Sequence, residues 1–300
     1  MKTVRQAFVP AAALLQLLLA CLLAFAAAQA RADMEDLRAR YAQLREQLSS
    51  NSFDRPLHID SSQSGNALRG DVYAVLNYPF DRVSMALKDP SDWCDILILP
   101  FNTRYCHATP GSSATTLSVR IGRRPDQPVE QAYRLDFALQ PVAATPDYYE
   151  SRLSAAQGPV GTRDYRISIS AVPLEAGRTF MHLSYSYGYN LPGRLAMQAY
   201  LATAGSGKAG FTVTGRDGNG QPTYIGGFRG AIERTAMRYY LAVDAHLASL
   251  GFPREQRLEK RIEAWFDATE RYPRQLHEMD RATYVAIKRS DSERQQATVE

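Results

Sequence analysis

The 300-residue chain has only three cysteines, Cys21, Cys94 and Cys106, and five histidines. None of them forms a C-x-x-C or H-E-x-x-H pattern, so no metal centre is expected, and nothing else points to a cofactor. A G-x-S-x-G nucleophile elbow is missing as well. Gly205-Ser206-Gly207-Lys208-Ala209-Gly210 has the look of a phosphate loop, but Ala202 stands where the motif needs its first glycine and Ala209 where it needs Ser or Thr. That stretch also follows a helical pattern instead of joining a strand to a helix. No block of basic residues interleaves with aromatics, which excludes nucleic acid as a partner on electrostatic grounds. Beyond the N-terminal region there is no second long apolar run, so the mature chain is expected to be soluble.

What is present begins with a three-part leader. Lys2 and Arg5 precede an apolar run from Ala11 to Ala28, and Ala28-Gln29-Ala30 and Ala30-Arg31-Ala32 are both small-x-small sites. This reads as a secretory signal peptide over 1–30, cleaved near Ala30 or Ala32, which makes the protein periplasmic or secreted. Two alternatives stand beside it. Leu18-Leu19-Ala20-Cys21 is lipobox-like and would lipidate Cys21, although Leu22 to Ala28 stay apolar where a lipoprotein turns polar. An uncleaved anchor is the other, and the run is barely long enough to span. Losing Lys2 and Arg5 takes the formal charge from +4 to +2, close to neutral. In an exported chain Cys94 and Cys106 are expected to form a disulfide, worth roughly 2–3 kcal/mol in the loop-entropy model. Two buried free thiols are the alternative. A catalytic Cys106–His107 pair is disfavoured, because neighbours on a strand point to opposite faces.

Taken in order, Met34, Leu37, Tyr41, Leu44 and Leu48 mark an amphipathic N-terminal helix within 31–53. Leu57 to Ile59 and Val72 to Tyr78 read as strands. Pro79 opens a short helix with Phe80, Val83 and Leu87 on one face, and Asp89 to Asp92 is expected to end it in a turn. Phe101 to Cys106 is a further strand, leading into a turn at Pro110 to Ser113. Period-2 alternation follows around Leu117–Ile121, Tyr133–Leu139, Tyr165–Ala171 and Met181–Tyr189, the pattern of an antiparallel meander with one covered face. Leu191 to Ala204 reads as a helix, and Phe211–Thr214 with Thr223–Ile225 as a small hairpin around Asp217-Gly218-Asn219-Gly220. The stretch from Phe228 to Leu247 is one long helix with Ile232, Ala236, Tyr239, Val243 and Leu247 as its apolar stripe; Gly251 and Pro253 stop it. Leu258, Ile262, Trp265, Phe266 and Thr269 mark a helix in the tail over 252–300. Leu276, Met279, Tyr284 and Ile287 mark a second, and Ser290 to Glu300 is expected to fray.

Gly70-Asp71-Val72-Tyr73-Ala74-Val75 and Pro79-Phe80-Asp81-Arg82-Val83, followed by Leu87 to Trp93, resemble the opening of the START/Bet v 1-like (SRPBCC) superfamily. The resemblance covers about 54–251. Arg194 to Thr203, Lys208 to Val213 and Glu233 to Leu241 are similar to stretches of exported bacterial proteins. The resemblance implies an α+β helix-grip fold, an antiparallel sheet wrapped around a long C-terminal helix, here with N- and C-terminal helical extensions. It also implies an apolar cavity between sheet and helix that holds a lipid, sterol, polyketide or similar molecule. The helix and hairpin within 191–225 depart from the minimal pattern and raise the question of a lid.

On that reading the ligand wall is drawn from Phe137, Ile167, Ile169, Met181, Leu183, Tyr185 and Tyr187 on the strands, with Ala236, Tyr239 and Tyr240 from the helix. Ordinary core packing is the bland alternative for all of them. Glu233, Arg234 and Arg238 are expected on a solvated helix face; a buried Glu–Arg pair holding the inserted hairpin is the sharper reading. The expected function is binding or carrying a hydrophobic small molecule or lipid. One alternative is a cyclase- or hydrolase-type enzyme in the same cavity, with His182 as its base. Another is an interaction module with a filled core, whose terminal helices and an exposed Trp265-Phe266 patch contact a protein or a membrane surface.

Overall fold

The computed structural model describes residues 11–112, 114–123 and 127–297. Lys2 and Arg5 of the leader, and Ser113 of the expected turn, lie outside the described residues.

Helix α1 (Ala11–Ser49) runs without a break through the apolar stretch and the amphipathic one. Strands β1 (Leu57–Ser64) and β2 (Ala67–Leu76) form a hairpin. Two short helices follow, α2 (Phe80–Lys88) and α3 (Pro90–Leu97). The expected turn at Asp89 is instead the start of α3. Asp89 accepts a hydrogen bond from Ser91 N, and Pro90 takes the first helical position, where its missing N–H costs nothing.

Six strands come next: β3 (Thr103–Thr109), β4 (Thr115–Ile121), β5 (Tyr133–Ala144), β6 (Tyr149–Gln157), β7 (Thr162–Leu174) and β8 (Arg178–Tyr189). They are followed by α4 (Leu191–Ala202), the small hairpin β9 (Val213–Arg216) and β10 (Pro222–Tyr224), and α5 (Gly227–Ser249). The tail holds α6 (Arg257–Glu270), the single turn α7 (Pro273–Leu276) and α8 (Arg281–Ala297). The large sheet is antiparallel throughout, in the order β1-β2-β8-β7-β6-β5-β4-β3. Strand β6 has no counterpart in the sequence reading. Its inward positions are Tyr149, Ser151, Leu153 and Ala155, and the two small residues blur the alternation.

Helix α5 lies against the inner face of this sheet, which makes the fold an α+β helix-grip. Ile232, Ala236, Val243 and Leu247 are buried in the core as the stripe requires. Gly70 on β2 sets the closeness of the contact: a Cβ there would sit 3.1 Å from Ile232 O and 3.2 Å from the Ala236 Cβ. The opposite side of α5 is covered by the tail. Trp265 of α6 donates to Arg238 O at 3.2 Å and stacks on Tyr284 of α8 with ring centroids 5.1 Å apart. Trp265 and Phe266 are 3% and 7% exposed, so the exposed patch that an interaction module needs is absent. Each such large side chain contributes about 1.5–3 kcal/mol by leaving water.

The expected fraying after Ser290 is corrected as far as Ala297, where α8 ends, and residues 298–300 lie outside the described residues. Asp291 is fully buried and accepts from Arg104 at 3.0 Å, while Lys288 Nζ donates to Thr103 O at 2.6 Å, which locks α8 onto β3. A disulfide between Cys94 and Cys106 ties α3 to the same strand, with Cα atoms 5.2 Å apart.

On the outer face of the sheet, Met34, Leu37, Leu44 and Leu48 of α1 pack with Val75, Tyr148, Val172 and Phe180. The apolar face of this N-terminal helix is therefore covered by the chain's own sheet.

Candidate functional site

Between the inner face of the sheet and α5 lies a cavity of about 260 Å³. Strands β4, β5, β7 and β8 supply Ile121, Leu135, Phe137, Tyr165, Tyr185 and Tyr187. The α3–β3 connection adds Pro100, Phe101 and Asn102, and Pro159 comes from the β6–β7 turn. Helix α4 closes one end with Met197 and Tyr200. Helix α5 contributes Ala231, Arg234, Thr235, Arg238 and Tyr239, residues that successive turns place on one side of the helix.

Four of the expected wall residues meet here: Phe137, Tyr185, Tyr187 and Tyr239. Strand alternation explains the sheet members, since Tyr185 and Tyr187 point inward while Ser184 and Ser186 point away. The other six lie outside the lining. Ile167, Ile169, Met181, Leu183 and Ala236 are buried deeper in the core, where sheet and helix touch without a gap. Tyr240 sits on a different side of α5, under the Arg55 guanidinium, 5.4 Å from the ring centroid. Tyr165 was missed although it lies on the alternating stretch that supplied Ile167 and Ile169. Tyr200, Met197 and Phe101 come from segments whose approach depends on tertiary packing and leaves no mark in local periodicity.

The tyrosines form a connected cluster. Tyr165 stacks on Tyr187 with centroids 5.3 Å apart, and Tyr185 meets Tyr239 at 5.4 Å. The Tyr165 hydroxyl donates to Thr162 Oγ1 at 2.9 Å. The hydroxyls of Tyr185, Tyr187 and Tyr239 take no hydrogen-bond partner among the described residues, and burial holds all three well above the usual phenol range. They remain neutral donors at any physiological pH.

The helix end of the cavity is cationic. Arg234 is 1% exposed and donates to Ala209 O and the Tyr200 hydroxyl, both at 3.3 Å. Arg238 donates to Glu278 at 2.5 Å and lies over Phe101, 5.3 Å from the ring centroid. Burial, opposed by Glu278 and reinforced by Arg234, lowers the Arg238 pKa from its ordinary value. The solvated face expected for Glu233, Arg234 and Arg238 is thus buried.

Glu233 is fully buried and turns the other way. It accepts from Phe211 N at 2.6 Å, Thr212 N at 2.9 Å, Thr212 Oγ1 at 2.7 Å and Ser61 Oγ at 2.6 Å. Glu233 and Arg234 each hold part of the inserted segment, as the sharper reading anticipated, but through separate bonds and not as a pair.

His182 lies on the outer face of the sheet, away from the cavity. It hydrogen-bonds Asp71 at 2.7 Å and stacks on Tyr73 at 4.3 Å. Burial alone would raise the Asp71 pKa, but hydrogen bonds from His182 and Arg69 bring it down to about 2. This placement removes His182 as a base for cavity chemistry. Elsewhere, Asp92, Asp95 and His246 offer three ligand atoms within 4.8 Å of one another. Arg261 already donates to both oxygens of Asp95, at 2.7 and 2.5 Å, and supplies the countercharge there.

No family model and no curated protein sequence matches the chain. Solved structures of similar shape include a conserved protein from Geobacillus kaustophilus, 12% identical, covering 60% of this chain and 95% of that one, with a TM-score of 0.36. Norcoclaurine synthase from Thalictrum flavum is 13% identical over 50% of this chain and 79% of its own, TM-score 0.31. A protein from Arthrobacter aurescens is 15% identical over 63% and 91%, TM-score 0.33. Likenesses this low say nothing about a ligand, and the helix-grip assignment stands on the sheet order and the seat of α5.

Proposed function

We propose that this protein is an exported member of the START/Bet v 1-like superfamily that binds and carries a hydrophobic small molecule in the cavity between its sheet and α5. The observation that carries the reading is the wall itself: apolar and aromatic surface from four strands, with three phenol hydroxyls that take no partner among the described residues. Such a wall buries an apolar body and offers a few donors to orient it. The volume of about 260 Å³ is just below the ~300–1,000 Å³ usual for ligand pockets, which favours a compact molecule or a single-chain lipid over a two-chain one. General acid–base work needs a group poised near neutrality, and phenols raised by burial lie far from that, so binding is favoured over cyclase or hydrolase chemistry.

Export is part of the proposal. The Cys94–Cys106 disulfide is compatible with an oxidising compartment. Among the described residues no helix is long and apolar enough to cross a membrane. Met34, Leu37, Leu44 and Leu48, the α1 residues buried against the sheet, all lie beyond Ala32, so cleavage near Ala30 or Ala32 leaves those contacts in place.

Tyr185→Trp tests the cavity reading. The larger ring fills space at the centre of the wall. It should abolish uptake of a fluorescent apolar probe while the unfolding midpoint stays close to that of the native chain. Undiminished uptake would show that the probe binds elsewhere.

A further inference from the structure

We infer that the occupant is a compact apolar carboxylic acid whose carboxylate is held by Arg234 and Arg238 at the helix end of the cavity. This rests on the binding reading above and narrows it to a substrate class.

Charge and hydrogen bonding carry the inference. The partners of Arg234 are neutral oxygens: the carbonyls of Lys208 and Ala209 and the hydroxyl of Tyr200. Its Nε is buried and finds no partner among the described residues, and the same is true of Arg238 Nε. A buried guanidinium with a donor unspent is costly unless an anion meets it. Glu278 does not balance the site, because it serves Arg238 at 2.5 Å and Lys208 at 2.6 Å together. Glu233 is spent on Phe211, Thr212 and Ser61. The charged side chains of the lining are Arg234 and Arg238; Glu278 meets Arg238, and among the described residues no carboxylate pairs with Arg234, which leaves one positive charge unmatched in the cavity wall.

A monoanion cancels that charge, whereas a phosphate dianion would overshoot it. The planar guanidinium fork matches a planar carboxylate. Thr235, next to the two arginines, spends its hydroxyl on Ala231 O and does not compete. Away from the arginines the lining includes Leu135, Phe137 and the rings of Tyr165 and Tyr187, which receive an apolar body, with the Tyr187 hydroxyl as a neutral donor beside it. The molecule is therefore polar at one end and greasy along the rest.

The test is calorimetric titration of the full exported chain with 4-phenylbutyrate and decanoate, each beside its neutral methyl ester. The acids should bind roughly 10- to 100-fold tighter than their esters, the range expected for hydrogen bonds to a charged group. Arg238→Met should erase most of that preference, and its urea unfolding midpoint reports separately that the variant is folded. If the variant does not fold, the native chain still decides the matter. Acid affinity should fall as pH drops through the probe's own carboxyl range, roughly 4–5, while ester affinity stays flat. Equal affinity for acids and esters would overturn the acid-head inference and leave the cavity reading standing. Binding of neither class would remove both.

Discussion

Glu233 is one buried carboxylate that holds a segment some twenty residues upstream in the chain. Its two oxygens accept four hydrogen bonds, three of them from Phe211 and Thr212. Glu233→Leu would strand two backbone N–H groups in the interior, and we expect a loss of about 2–4 kcal/mol by urea unfolding. Asp136→Asn makes the contrast. Asp136 meets Arg134 at 2.8 Å, but both side chains are largely exposed, and the change should cost less than ~1 kcal/mol in the same assay. Asp71 gives a pH signature. Its carboxyl titrates near 2 in the folded chain against an ordinary 3.8. The unfolded chain therefore takes up the proton first as pH falls. The stabilisation, about 2 kcal/mol, is complete above pH ~4 and is lost on descending from ~4 to ~2. Asp71→Asn should flatten that limb of the urea midpoint measured against pH; an unchanged limb would assign it to other carboxylates.

Among the elements, α3 depends on two devices, the Asp89 cap and the disulfide to β3. Closing a loop of this length is worth about 3 kcal/mol, so the double variant Cys94→Ser with Cys106→Ser should lose about that much stability. Its melting temperature should also become indifferent to reductant. Gly210 is a second pressure point. A Cβ there would lie 2.6 Å from Glu233 Oε2 and 2.8 Å from the Gly230 Cα, so Gly210→Val should lift the 203–225 segment from α5 and speed proteolysis within it. The elements most legible in the sequence were those with strong periodicity: α5, the strands β5, β7 and β8, and the amphipathic part of α1. β6 was not legible, because Ser151 and Ala155 take inward positions. The burial of Arg234 and Arg238 was not legible either, because helical spacing says which residues share a face and not what covers that face. Four wall residues could be read from alternation and the α5 stripe. Tyr200 and Phe101 could not, since α4 and the α3–β3 connection reach the cavity only through the folded chain.

At the scale of the whole molecule, α5 and the tail cover the inner face of the sheet, and α1 covers the part of the outer face around Val75, Tyr148, Val172 and Phe180. The helical extensions thus complete the domain. Deleting residues 1–50 should uncover Val75, Val172 and Phe180 and raise binding of an apolar dye to the otherwise folded chain. The gap that remains between sheet and α5 gives the protein its function in this account. Its most direct test is native mass spectrometry of the full chain exported to the periplasm and purified without detergent. The account predicts one small apolar molecule, released on denaturation and carrying an acidic group, per protein chain. A chain that arrives without one, and takes up nothing when offered a total lipid and metabolite extract, would contradict it.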